Sequence, residues 1–400
     1  MTKSVAMKKN ICMIAYTDYA NDARVRREAE TLADDPQYVV SVLSLKQNHH
    51  PSSYQLNGVH VKELNLSKYQ GKSFARYLLS YFDFLLLAFV EITRRLFHKL
   101  LDVVHVHNMP NFILFSAVLP LLFGKKIVLD VHDTMIETYM AKFMDRCKPG
   151  IMRKLLGFEE SVCCSMAHRI ICVNDVQRDV MVARGIPKNK TIISMNLPDP
   201  RMFSTQSRKS LQRHDNEVSK LVYHGTISKR LSIDLAIKAI ARLNQKGCSP
   251  RLEFHIVGEG DDMEEFERLS HQLGVDELVF FRGKKPLDEI VPLLEEMDLG
   301  IITNERNAAT ELMLPVKMME CIAMGIPVIV PRLRAIEHYF SDEMVTYFEP
   351  GSLESLSEAI QFLVATPERK REKVARAQCF LDRCGWDKQK STLLDMYKKL

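Results

Sequence analysis

Lys317 and Glu320 stand three residues apart in the apolar stretch Thr310–Val330, TELMLPVKMMECIAMGIPVIV. Pro315 suits the first turn of a helix, where its missing N–H is not needed. Lys317 then falls in that turn, where the helix dipole disfavours a cation unless a bound anion balances it. The amides of Leu314, Val316 and Lys317 would face the same anion. Glu320 lies one turn further on and on the same face. An anion at a helix start with a carboxylate one turn deeper fits a nucleotide. The diphosphate would rest on the amides and Lys317, and Glu320 would accept the ribose hydroxyls. The plain alternative is a surface Lys317–Glu320 ion pair.

Other residues of the second half point the same way. Gly225 follows the strand-like run Lys220–His224 and permits close backbone approach to a ligand. Arg230, five residues on, has the fork geometry to clamp a diphosphate, or it is one of a solvated Lys229-Arg230 pair. Gly258 opens a G-x-G turn after Leu252–Val257, without the full G-x-G-x-x-G fingerprint, since position 263 is Met. Arg282 closes another strand, where the backbone can read a base edge or merely end the strand.

These residues need a scaffold, and the patterning supplies one. Strand-like runs at Asn10–Tyr16, Tyr38–Ser44, Val59–Leu64, Val103–His107, Lys126–Val131 and Arg169–Val173 alternate with helical segments, including Ala23–Asp34 and Phe112–Leu121. The alternation breaks at Asn196–Lys220, which is polar and aperiodic, and then restarts. The prediction is an α/β chain of two tandem doubly wound, Rossmann-like domains with an interdomain cleft as the ligand site. The expected divisions are an N-terminal acceptor-side domain at 1–195, a linker at 196–219, a donor domain at 220–375 and a helical tail at 376–400 packing back toward the N-terminal domain.

Composition narrows the class. Of 400 residues, 46% are hydrophobic and 26% charged, with only 16 Gly and 16 Pro, which excludes a disordered or low-complexity chain. A net charge of +5 permits an anionic ligand but is not a nucleic-acid signature. The nine cysteines form no C-x-x-C pair and read as reduced thiols of a cytosolic protein. His105 and His107 alternate on an apolar strand and read as structural more than as a metal pair. No D-x-D stands in a loop where a metal would help, so neither metal nor cofactor is expected. The N-terminal apolar run, about six residues long, leads into a strand and does not read as a signal peptide. Tyr77–Thr93 nears spanning length but holds Asp83, at about 2.5–3.5 kcal/mol if inside hydrocarbon, so it reads as a core helix or an interfacial one.

Together, LVYHGTISKR, FHIVGEGDD, FFRGKKPLDEIVPLLEEMDLGII and LPVKMMECIAMGIPVIV resemble, in order, the donor domain of the GT-B glycosyltransferases. The likeness is greatest to the retaining glycosyltransferase family 4 (group 1), in the branch with an L-P-x-K block. NDARVRREAETLA, DVVHVHN and VLDVHD resemble that family's N-terminal domain more loosely. The resemblance implies that Glu320 is the second glutamate of the family's E-x7-E motif and binds the donor ribose. It implies that Arg230 and Lys317 meet the diphosphate beside Gly225. It also implies that His132 lines the acceptor-domain wall near the transferred sugar, with Asp22, Arg24 and Asp133 on the acceptor side. The first motif glutamate is replaced by Leu312, with Glu311 one residue away, so either the spacing is E-x8-E or that role is vacant.

The activity implied is metal-independent sugar transfer with retention, from a nucleotide-diphosphate sugar, UDP-linked before GDP-linked, to a glycan or lipid-linked acceptor. The setting implied is surface polysaccharide or glycolipid synthesis, in the cytoplasm or on the inner face of the plasma membrane through residues 76–99. A nucleotide-sugar epimerase and a non-catalytic donor-binding partner subunit are the alternatives.

Overall fold

Apolar runs alternating with amphipathic segments build two compact units. A computed structural model describes residues 8–47, 51–69, 74–143, 149–204 and 218–400. One unit takes Met1–Asn196 and Gln389–Leu400, the other Leu197–Lys388. Much of the stretch read as a linker (205–217), and Cys147, lie outside the described residues.

The first unit holds strands β1 (Lys9–Ile14), β2 (Tyr38–Leu45), β3 (Ser53–Leu56), β4 (Val59–Leu64), β5 (Val103–His107), β6 (Lys126–Val131), β7 (Arg169–Cys172) and β8 (Thr191–Ile193). They form one sheet in the order β3-β4-β2-β1-β5-β6-β7-β8. All neighbours are parallel except β3 and β4, which make a hairpin across Asn57-Gly58, both at positive φ. The expectation of a wholly parallel sheet misses this edge strand. Helix α1 (Ala23–Ala33) buries Val25, Ala29 and Leu32, one stripe at helical spacing.

Helix α2 (Phe74–Phe97) buries Phe84, Ala88, Ile92 and Leu96, four residues apart each time. Glu91 lies on that buried side because Lys62, Arg94 and Arg95 all pair with it. Leu79, Phe82, Leu86, Val90 and Phe97 are exposed on the opposite face. No helix among the described residues is long and apolar enough to cross a membrane. The helix expected over Phe112–Leu121 is instead a 3-10 segment, Asn111–Ala117, followed by short α3 (Val118–Leu122). Pro120 is the reason: an α-helix running through it would drive its ring into the carbonyl of Ser116. Helices α4 (Met135–Phe143), α5 (Pro149–Met166) and α6 (Asp175–Ala183) complete this part.

In the second unit, β9 (Val218–His224), β10 (Arg251–Val257), β11 (Val279–Phe281), β12 (Leu299–Ile301), β13 (Val328–Pro331) and β14 (Thr346–Phe348) form a parallel sheet in the order β11-β10-β9-β12-β13-β14. Its helices are α7 (Ile233–Gln245), α8 (Met263–Gln272), α9 (Leu287–Glu295), α10 (Val316–Ala323), α11 (Arg334–Tyr339), α12 (Leu353–Ala365) and α13 (Pro367–Cys384). Gly385 separates α13 from α14 (Trp386–Lys398), whose Leu393, Met396 and Tyr397 are buried in the core of the first unit.

Candidate functional site

In the second unit, chain order reverses between neighbouring β9 and β12, and a ligand crevice belongs at the carboxyl ends of such strands. β9 ends at His224, and Gly225 follows at φ +121°. Gly258, at φ +151°, presses against it: a Cβ there would lie 1.8 Å from the Gly225 carbonyl oxygen. A Cβ on Gly225 would in turn meet Lys317 Nζ at 3.2 Å. Lys317, in the first turn of α10, therefore lies over the end of β9.

Lys317 Nζ donates to Tyr223 Oη at 2.7 Å and sits 3.9 Å from the centre of that ring. Tyr223 Oη donates onward to the Thr226 carbonyl at 2.7 Å. Burial pushes the Lys317 ammonium down to about 7; the Glu320 carboxylate opposes this in part and the Arg230 cation adds to it. Among the described residues neither Lys317 nor Arg230 makes an ion pair. The Glu320 carboxylate offsets the repulsion between the two cations only in part, and a bound anion would offset the rest.

The start of α10 has the matching geometry. Pro315 is the capping residue, not part of the first turn as expected, and provides no side-chain cap. The amides of Val316 and Lys317 therefore have no intrahelical acceptor, directly after half-buried Leu314. One turn deeper, Glu320 Oε2 accepts from His224 Nε2 at 2.7 Å, which fixes the carboxylate and leaves Oε1 for a ligand.

Arg230 is exposed in the 3-10 turn Lys229–Leu231. Two candidates are tied elsewhere. Arg282 reaches His255 Nδ1 through Nε and Nη2, at 3.2 and 3.1 Å. Glu311 Oε2 accepts the Arg334 N–H at the start of α11, at 2.7 Å, and its Oε1 pairs with Arg306. Leu312 is buried.

The first unit centres on Asp130, fully buried in β6. Arg24 grips it bidentately, Nε to Oδ2 at 3.0 Å and Nη2 to Oδ1 at 2.7 Å, and donates Nη1 to the Ser194 carbonyl. His107 Nδ1 and His132 Nε2 both contact Asp130 Oδ2, at 3.0 and 2.9 Å. Burial opposes the Asp130 charge, but Arg24 and His132 outweigh it and hold the carboxyl well below its usual range. Burial likewise opposes the His132 imidazolium, and Asp130 outweighs it and raises the ring's pKa. The His132 side chain keeps 24% exposure, so it is the one member of this group that a ligand can reach.

Of the remaining candidates, Asp22 caps α1 by accepting the Val25 N–H at 3.1 Å. Asp133 is positioned through its carbonyl, which accepts Asn108 Nδ2 at 2.7 Å. All three guanidinium nitrogens of Arg24 are engaged inside the unit.

Residues 218–366, which contain every second-unit candidate, match the family model described as glycosyl transferases group 1. This part of the chain is a group 1 glycosyltransferase domain. The chain is 26% identical over 168 residues to the amylovoran biosynthesis glycosyltransferase AmsK of Erwinia amylovora, covering 40% of this chain and 39% of that protein. The matches span half or less of the length of the first curated relatives. Among solved structures, sucrose-phosphate synthase from Thermosynechococcus elongatus superposes with a TM-score of 0.78 at 16% identity, covering 98% of this chain and 99% of that one. Anabaena HepE in complex with UDP superposes with a TM-score of 0.68 at 14% identity, covering 98% and 100%. The fold of the chain is GT-B, two Rossmann-like domains.

Sequence reading missed His224 and Tyr223 as the partners of Glu320 and Lys317, and it missed the Arg24–Asp130–His107–His132 network. A signal for the network was present. Asp130 interrupts the apolar run KIVLDV, and a carboxylate in a buried central strand demands a cation. No spacing rule identifies Arg24 as that cation.

Proposed function

We propose that the protein is a glycosyltransferase that moves a sugar, with retention, from a nucleotide-diphosphate sugar to a glycan or lipid-linked acceptor. UDP is the favoured leaving group and GDP the next. The observation that carries this reading is the uncapped start of α10, set at the β9/β12 reversal, with Lys317 and Arg230 outside any ion pair among the described residues and Glu320 fixed by His224.

Transfer breaks the bond between the sugar's anomeric carbon and the diphosphate oxygen, whose electron pair leaves on the diphosphate, while the acceptor hydroxyl oxygen bonds to that carbon and gives its proton to the departing diphosphate. The Val316 and Lys317 amides, the Lys317 ammonium and Arg230 would stabilise that charge as it develops. Glu320 Oε1 would take a ribose hydroxyl. His132, oriented by Asp130, would hold the sugar or the acceptor hydroxyl. The HepE structure with UDP supports the donor class, and AmsK, named for amylovoran biosynthesis, supports a surface-polysaccharide setting.

A cytoplasmic membrane face is the proposed location. The exposed apolar face of α2 is flanked by Arg76, Arg94 and Lys99, which suits an anionic lipid surface. Flotation with anionic vesicles tests this: binding that falls in Arg94→Glu supports it, and no binding by the wild type rejects it.

The donor reading is tested by a thermal-shift panel of UDP, GDP, ADP, CMP and TDP and their common sugars. A ligand at 100 times its Kd stabilises by about 2.7 kcal/mol. A shift with UDP that vanishes in Glu320→Ala is expected. No shift with any nucleotide would reject the donor site. Product analysis then separates transfer from epimerisation, since an epimerase alters the free nucleotide sugar.

A further inference from the structure

The first unit contains a second cluster, which shares Asp130 with the His132 network but draws on atoms that the proposed transfer does not use. His105 and His107 project from the same side of β5 with their rings stacked, centroids 4.3 Å apart and planes inclined by 19°. Both are buried, and each has its Nδ1 engaged: His105 with Tyr397 Oη at 2.8 Å, His107 with Asp130 Oδ2 at 3.0 Å. Both Nε2 atoms lack a hydrogen-bond partner. Glu28, 1% exposed on α1, also has both carboxylate oxygens without a hydrogen bond. One donor atom from each of Glu28, His105, His107 and Asp130 lies within 4.8 Å of the others.

Four buried polar atoms left unsatisfied in one place would be costly in a closed core. Asp130 is already saturated by Arg24, His107 and His132. The unsatisfied set is therefore two imidazole nitrogens and the two oxygens of one carboxylate. A histidine whose Nδ1 is fixed by a carboxylate or hydroxyl, with a bare Nε2, is the usual arrangement of a metal-ligating histidine. Two imidazole nitrogens and a carboxylate oxygen are ligands of the type that zinc takes.

We infer that Glu28, His105 and His107 form a buried structural site for a divalent transition metal of the zinc class, with Asp130 and Tyr397 as the supports of the two histidines. Arg24 stands beside it, its Nη2 3.3 Å from Glu28 Oε1. The site leaves no position for substrate, and its role is to tie α1, β5 and, through Tyr397, α14 together. It is independent of the donor-site reading.

The test uses the untagged full chain purified without chelator. Elemental analysis should find about one zinc per chain. Removing it with dipicolinate should lower Tm by about 5 °C or more, and adding zinc should restore it. Cobalt-loaded protein should show visible ligand-field absorption that is lost in Glu28→Gln and His105→Asn. If those variants do not fold, the wild-type content, chelation and cobalt spectrum still decide. Less than about 0.1 zinc per chain together with a Tm unmoved by chelator, zinc or cobalt would overturn the inference, leaving the four atoms to share protons. Zinc retained in full by both variants would also overturn it.

Discussion

The two constellations differ in how their charges are balanced. In the first unit, Asp130 and Arg24 are buried together and neutralise each other at 2.7 Å. In the second, half-buried Lys317 donates to a neutral phenol, and burial holds it down to about 7. A satisfied pair maintains structure. A cation whose charge is only partly offset is a stability cost that a ligand can remove. The difference teaches where to look for ligands: not where charges are most numerous, but where they are least compensated.

The largest effect should come from breaking the balanced pair. Arg24→Met strands a buried carboxylate and should cost about 3–5 kcal/mol in urea unfolding. A loss below about 1 kcal/mol would mean that Asp130 is not held as described. Gly258→Ala comes next. Its Cβ would strike the Gly225 carbonyl at 1.8 Å, and the φ of +151° is closed to alanine, so the loss should be about 2–4 kcal/mol. Nucleotide binding should weaken with it.

The unbalanced cation should behave in the opposite way. Lys317→Met keeps the stem and removes the charge, and UDP affinity should fall about 100-fold by calorimetry. The ligand-free variant should not lose stability at neutral pH. The sign follows from linkage. The folded pKa of about 7 lies below the unfolded value, so between the two the unfolded chain binds more protons. Wild-type stability therefore gains from this lysine's deprotonation as pH rises above 7, and the variant lacks that gain. Glu320→Gln should have the smallest effect, about a tenfold loss of UDP affinity with the fold intact. The same loss for inorganic diphosphate would argue against a ribose contact.

The strand–helix alternation made the α/β architecture legible, because buried parallel strands read as unbroken apolar runs. The edge strand β3 was not, although Asn57-Gly58 is a hairpin signal, because SYQL has no apolar run to announce a strand. Lys317 and Glu320 stood out because a cation in a helix's first turn is locally unfavourable. Their partners Tyr223 and His224 did not, being 94 and 96 residues away and brought close only by the sheet order. The exposed face of α2 was only half legible. Composition gave its apolar length, but which side Glu91 occupies depends on Lys62 across from it on β4.

The central claim is that Lys317 waits for the diphosphate of a nucleotide. The direct measurement is the Kd of UDP between pH 7.5 and 9.5, for the wild type and Lys317→Met. A diphosphate raises the lysine's pKa in the complex, so binding takes up a proton, and affinity is strongest at the low end. The wild-type Kd should rise by up to about tenfold per pH unit, while the weak binding of Lys317→Met stays flat. A wild-type Kd that does not change with pH, or one that Lys317→Met reproduces, would contradict the claim.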